Sequence, residues 1–282
     1  MDWLTDNKIP VGKWIEAAVD FFYAHFAWFF DGITFAFEFL IEGTADVLGW
    51  LHPLVLIALI AGLAYLLQRS WKLLVFLVPS LLLIVNLGYW EDTILTISLV
   101  TWATTLSMIV GVPIGIAAAH RPRFWLFLRP ILDMMQTIPT FVYLIPALIF
   151  FGLGVVAGMV ATIIFALPAP IRLTYLGISS APKQLLEAAE SFGATKRQLL
   201  WLVEIPHAMP TIMAGLTQCI MLSLSMVVIA AMVGADGLGI PVLRAINTVN
   251  VAKGFEAGLA IVIVAILMDR ICKRPGAGPG GQ

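Results

Sequence analysis

The stretch Glu187–Pro206, EAAESFGATKRQLLWLVEIP, decides how this chain is read. It is the longest charge-bearing interruption in the second half of a sequence that otherwise reads as membrane. Pro182 suits the first turn of a helix, where its missing N–H is no loss. Lys183–Phe192 follows as helix, with Leu185, Leu186, Ala189 and Phe192 gathered on an apolar side. Gly193 fits the position just past the helix end, where a left-handed backbone is wanted. Thr195 and Gln198 have the spacing of a capping box that opens a second helix. Leu199, Leu200, Leu202 and Val203 make that helix adhesive, and Pro206 is expected to end it and redirect the chain. Two short helices joined by a glycine turn make a compact knob. A polar knob held between apolar spans is a docking element.

Composition sets the surroundings. Of 282 residues, 61% are hydrophobic and 12% charged, against roughly 25% charged in soluble domains. No soluble fold of this length buries so much apolar surface, so an integral membrane protein is expected. A net charge of −1 gives no electrostatic pull toward nucleic acid. Cys219 and Cys272 lie far apart and in no ligand-spaced cluster, which argues against a disulfide, a metal site or thiol catalysis. His25, His52, His120 and His207 fall in separate segments without a Ser or Cys partner at a recognisable spacing, so each is expected to be an interfacial or loop histidine. The acidic N-terminus lacks a basic leader region, and no cleavable signal peptide is expected.

A membrane-crossing helix needs about 17–25 mostly apolar residues. Seven candidates run near residues 50–68, 72–90, 93–119, 131–151, 155–178, 208–233 and 255–272. All basic residues except Lys8, Lys13, Arg244 and Lys253 then fall on one side of the membrane, together with the knob. The excess of positive charge makes that side cytoplasmic. The N-terminus is thereby expected outside and the C-terminus inside. Residues 1–49 read as extracytoplasmic amphipathic helices lying in the interface. Glu38, Glu42 and Asp46 share one helix face there, and Phe21, Phe22, Phe26, Phe29 and Phe30 supply an apolar one. Glu38, Glu42 and Asp46 argue against an eighth span at 32–51. Residues 50–272 form the transmembrane domain, with the loop at 180–206 facing the cytoplasm. Residues 273–282, ending in PGAGPGGQ, read as a flexible cytoplasmic tail.

The knob resembles the EAA loop of binding-protein-dependent ABC importer permeases. That pattern is EAA, three residues, Gly, nine residues, Ile, any residue, Leu-Pro. Here Val203 and Ile205 stand for the Ile and Leu, and the spacing matches throughout. The stretches RPILDMMQTIPTFVYLIPALIFFG, VATIIFALPAPIRLTYLGI and AMPTIMAGLTQCIMLSLSMVVIAAMVGADGLG look like the glycine betaine/choline branch, so the likeness covers residues 50–272. It implies an all-helical type I importer permease of a bacterial inner membrane, working as a pair. It also implies two cytosolic ATPase subunits, an extracytoplasmic binding protein and a quaternary amine as cargo. A different small solute, such as an amino acid, stays open as the alternative. Glu187, Ala188, Ala189, Gly193 and Pro206 would form the element that sits in the ATPase. The chain holds no GxxxxGK[ST], so ATP and its Mg would belong to the partner and this chain would not be an enzyme.

Polar residues inside spans tend to face the bundle interior or a watery path. Thr101, Gln136, Gln218 and Ser225 are the candidates, with Thr104, Thr105, Thr137, Thr140 and Ser223 beside them. Helix–helix hydrogen bonding is the competing role for each. A quaternary ammonium donates no hydrogen bond and is recognised by aromatic faces, so Trp102, Phe141 and Tyr143 join the list. Lipid-facing positions would account for the same aromatics. Asp133 lies near Arg129 and reads as a helix-end ion-pair residue.

Overall fold

The computed structural model describes residues 11–272, and every regular element among them is helical. Helix α1 is Val11–Gly49, α2 Pro53–Gln68, α3 Trp71–Asn86 and α4 Trp90–His120. Then come α5 Pro122–Thr137, α6 Leu144–Phe151, α7 Val155–Ala166 and α8 Pro168–Ser179. The knob contributes α9 Lys183–Ser191 and α10 Lys196–Leu199. The chain closes with α11 Ile205–Ala231, α12 Gly239–Asn247 and α13 Val251–Cys272.

At the centre, α4 packs on α8, and α8 on α11. Small residues set these approaches. A Cβ on Gly115 of α4 would stand 2.6 Å from Thr174 Cβ and 2.7 Å from the Ile171 carbonyl oxygen of α8. A Cβ on Gly177 of α8 would stand 2.9 Å from Ala208 Cβ of α11. Helices in lipid gain by such close van der Waals contact, since apolar surface alone gives them no reason to associate. A second core joins Ala64, Leu81, Leu99, Ile220 and Val264, which ties α2, α3, α4, α11 and α13 together.

Five helices among the described residues, Gly12–Gly49, Trp90–His120, Val155–Ser179, Lys196–Ala231 and Val251–Cys272, are long and apolar enough to cross a membrane, the first of them despite Glu38, Glu42 and Asp46. Four expectations need correction. The span expected at 131–151 is two helices bent by 106°. Ile138 is extended (φ −66°, ψ 130°), because Pro139 disfavours helical backbone in the residue before it. The helices expected at 50–68 and 72–90 are shorter than expected, a hairpin of 16 residues each that still runs between the two ends of the bundle. At 1.5 Å per residue each is about 24 Å long, shorter than the ~30 Å hydrocarbon layer.

The third correction concerns the N-terminal region. Val11–Gly49 is two helical segments that meet at a kink at Phe26 (φ −121°, ψ 18°), and the second packs on the bundle instead of lying on the surface. Glu38, Glu42 and Asp46 do share an exposed face. The opposite face packs on the bundle: fully buried Ile41 meets Ala103 and Met159, and Phe30 stacks on Phe150 with ring centroids 4.6 Å apart. Acidic residues on one face do not prevent the other from packing. Residues 1–10 and the tail at 273–282 lie outside the described residues, so the readings made of them are left as expectations.

Fourth, Pro206 does not end the second knob helix. From Lys196 the helix runs on to Ala231. Residues Leu200–Glu204 form a wide π turn, in which the Ile205 N–H bonds to the Leu200 carbonyl five residues back. A proline ring clashes with the carbonyl four residues earlier in a regular α-helix. The wide turn makes room for Pro206 without breaking the rod.

One end of the bundle collects the knob, the end of α4 and the basic turn after α2. There the Gln68 side-chain amide donates to the Arg270 carbonyl at 2.5 Å. The other end carries Trp90, Gly154 and the loop before α12. Gly154 N–H there donates to the Val233 carbonyl at 2.9 Å. The Leu238 N–H donates to Thr96 Oγ1, also at 2.9 Å.

Candidate functional site: the knob and its joint

The knob is built as its residues dictate. Pro182 is the N-cap of α9 (φ −60°, ψ 130°), one position earlier than expected. Gly193 has φ +80°. Its N–H donates to the Glu190 carbonyl at 2.8 Å, and the Ala194 N–H donates to the Ala189 carbonyl at 3.1 Å. This pair of bonds is the Schellman closure of a helix C-terminus. Thr195 then caps α10. Its Oγ1 accepts from the Gln198 N–H at 3.3 Å, and Gln198 Oε1 accepts from the Thr195 N–H at 2.9 Å. The turn between the two helices is therefore hydrogen-bonded on both sides and leaves little slack.

The expected apolar cluster on α9 divides. Leu186 and Ala189 turn inward and are half-buried, while Leu185 and Phe192 face out with Glu187 and Ala188. Phe192 is 94% exposed, Leu202 72% and Trp201 60%. Large apolar side chains presented together on a charged knob are the mark of an interaction surface. The inner side of the knob is seated on the bundle. Leu200 and Ile205 pack with Ile116 and Ala119 of α4, Ile178 of α8, and Ala208 and Ile212 of α11. Beside this contact, His120 Nε2 lies 2.9 Å from Glu204 Oε2. Sequence reasoning missed this pair. Glu204, alone among the apolar residues of LLWLVEIP, was the available signal.

The other candidates do not form one surface. Thr101 opens into a cavity of about 320 Å³, with Thr104, Thr105, Trp90 and Ile220 also in its wall, and none of the other six candidates lines it. Trp102 is occupied elsewhere: its indole N–H donates to Thr44 Oγ1 of α1 at 2.8 Å. Gln136 and Phe141 are exposed on either side of the bend at Pro139. Tyr143 is buried behind them, and its hydroxyl donates to the Met135 carbonyl, pinning the bend. Met226 of α11 shares a core with Tyr143, which sets the bend beside α11. Gln218 and Ser225 are both exposed two turns apart on α11, and the Ser225 hydroxyl donates to the Met221 carbonyl at 2.9 Å. Asp133 is paired with Arg172 of α8 at 2.5 Å, not with Arg129. Trp125 stacks on Tyr175 alongside, with centroids 3.6 Å apart, so α5 is clamped to α8 twice. Among the described residues no group of His, Cys, Asp and Glu is placed to hold a metal.

The sequence model described as "Binding-protein-dependent transport system inner membrane component" matches residues 111–273, more than half of the chain, with the knob in its interior. The chain belongs to this family. The permease is 46% identical over 264 residues to the glycine betaine transport system permease protein OpuAB of Bacillus subtilis, covering 94% of this chain and 93% of that one. It is 45% identical to the glycine betaine/carnitine transport permease protein GbuB of Listeria monocytogenes, with 93% and 94% covered. It is 42% identical to the glycine betaine/proline betaine permease ProW of Escherichia coli, with 98% and 78% covered. Among solved structures, an inward-facing MetNI methionine ABC transporter chain matches with a TM-score of 0.56 and 22% identity. That match covers 64% of this chain and 93% of the other, and it establishes the type I importer fold of the permease. The permease is thus a membrane component that relies on separate chains for binding substrate and hydrolysing ATP.

Proposed function

We propose that the permease carries a quaternary amine of the glycine betaine class into the cytoplasm. The observation that carries this reading is the knob: a doubly capped, rigid element with Phe192, Trp201 and Leu202 turned outward, seated directly on the end of α4. Two cytosolic ATPase chains grip the knobs of two copies of this chain, through Glu187, Ala188, Ala189, Gly193 and Pro206 and the apolar residues around them. ATP and its Mg stay on those partners. Closure of the ATPases displaces the knobs and opens the paired bundles outward, where a binding protein delivers the solute. Hydrolysis returns the cavity to the cytoplasm.

The positive-inside rule supports a cytoplasmic knob and C-terminus. With α1 packed on the bundle, its exposed aromatics anchor the N-terminal region in the membrane. Gln136, Phe141, Gln218 and Ser225 are the exposed candidates that the second copy or the solute would meet. Phe141 supplies an aromatic face, worth about 0.5–2 kcal/mol to a quaternary ammonium. Contacts of that strength let the solute leave again. Trp102 serves the bundle from within, and Thr101 faces the cavity. The relatives at 42–46% identity are named for betaines, which favours that class over an amino acid.

Uptake into liposomes holding the permease, its ATPase and its binding protein tests the reading. Labelled glycine betaine should accumulate only with ATP, and excess unlabelled betaine should abolish the signal. Excess amino acid should leave it intact. Accumulation of a labelled amino acid in place of betaine would overturn the substrate class.

A further inference from the structure

Glu204 is 6% exposed, and no other charged residue among those described is so deeply buried. A lone buried carboxylate is unfavourable unless it is paired or protonated. Its partner is His120, the last residue of α4, whose side chain is 45% exposed. His120 Nδ1 lies 2.9 Å from the Ile116 carbonyl, and Nε2 lies 2.9 Å from Glu204 Oε2. A carbonyl only accepts, so Nδ1 carries a hydrogen. One further proton must then lie between Nε2 and Oε2, whether imidazolium faces carboxylate or imidazole faces carboxylic acid. Both nitrogens are committed, so the ring is fixed in orientation.

The place of this pair in the chain gives it meaning. Glu204 closes the π turn, and wide turns of this kind recur at functional sites. Each helical residue advances about 100° around the axis. The extra residue in the turn therefore changes which face the knob presents relative to α11. Glu204 is thereby brought to α4. It also occupies the position that the EAA pattern leaves open to any residue. The apolar contacts of Leu200 and Ile205 with Ile116 and Ala119 flank the pair but can slide. A hydrogen bond between two fixed groups cannot.

We propose that His120 and Glu204 form the tie that passes knob displacement to α4, and so set how much solute moves per ATP. They are positioning residues that touch neither solute nor nucleotide. The inference rests on the coupling role of the knob.

The test uses the complete complex in liposomes and reads solute accumulated per ATP hydrolysed. Glu204→Leu and His120→Ala should each lower that ratio about ten-fold, the loss of one charge-assisted hydrogen bond. The double variant should be no worse than either, since one interaction is removed once. A purely structural loss would lower uptake and hydrolysis together and leave the ratio unchanged. Unchanged ratios in both singles, or losses that multiply in the double, would overturn the tie. If the singles fail to assemble, His120→Arg decides. It presents N–H donors to Glu204 at a half-exposed site and should hold the ratio near that of the unaltered permease; a ten-fold fall there overturns the proposal. Gly193→Asp separates the two readings. If it lowers the ratio while both singles keep it, only the tie fails; if it leaves the ratio unchanged, the knob reading fails with it.

Discussion

Gly193 sits at φ +80° with open space where a Cβ would stand, so a substitution there strains the backbone without clashing. The cost of left-handed backbone in a side-chain-bearing residue is about 1–2 kcal/mol. The knob has few buried contacts to absorb it. Gly193→Asp is therefore expected to leave the protein in the membrane at normal abundance while uptake falls several-fold. Quantitative immunoblotting of membranes beside labelled-solute uptake checks this, and full uptake would remove the coupling role of the turn. Gly115 poses the opposite case. There the backbone is ordinary helix and the obstacle is Thr174 Cβ at 2.6 Å. Gly115→Val must push α4 off α8, and overpacking costs typically about 1–3 kcal/mol. Its expected result is lower abundance and a lower melting temperature in detergent, with uptake falling in proportion to the protein that remains.

Elements differed in how far the sequence disclosed them. The turn of the knob was legible because caps are local: Gly193, Thr195 and Gln198 each satisfy backbone groups within a few positions of themselves. The continuous helix past Pro206 depends instead on a wide turn that no single residue announces. The bend at Ile138 was not legible either, because prolines are tolerated in membrane helices and Pro113 in α4 and Pro210 in α11 leave theirs continuous. What distinguishes Pro139 is its tertiary setting, with the Tyr143 hydroxyl holding the Met135 carbonyl across the break. Helix α1 misled for a related reason. An acidic stripe at Glu38, Glu42 and Asp46 looks the same on an interfacial helix and on one packed by its opposite face. The candidate pathway was least legible. Spacing marks Trp102 as an aromatic within a span, but only the neighbour Thr44 shows that its indole is spent on α1. At this scale the knob makes a prediction of its own. Thr195→Ala removes the cap of α10, which costs about 1 kcal/mol, whereas Phe192→Ala with Trp201→Ala strips the outward patch. The patch variant should lose the ATPase on affinity purification through the permease, and the cap variant should retain most of it. Equal retention by both would move the ATPase contact off the patch.

At the scale of the whole molecule, the two ends of the bundle carry opposite chemistry. The knob end holds Arg69, Lys72, Arg121, Lys196, Arg197 and Arg270, and the other end holds Glu91, Asp236 and Glu256. The proposed orientation places the basic end, and the knob with it, in the compartment that holds ATP. The consequence is accessible to a membrane-impermeant thiol reagent. Cys219 is fully buried and Cys272 half-buried, so replacing Cys272 by Ala leaves a quiet background. On that background, Glu91→Cys and Arg197→Cys place one thiol at each end, both at exposed positions. In intact cells with a permeable outer barrier, Glu91→Cys should label and Arg197→Cys should not. In inside-out vesicles the pattern should reverse. The arrangement of α4 makes the two results dependent on each other. A single uninterrupted helix of 31 residues, about 46 Å at 1.5 Å per residue, separates Glu91 from the knob, so both thiols cannot reach the same compartment. Labelling of Arg197→Cys from outside would put the knob beyond the reach of any cytosolic ATPase, and its coupling role would fall.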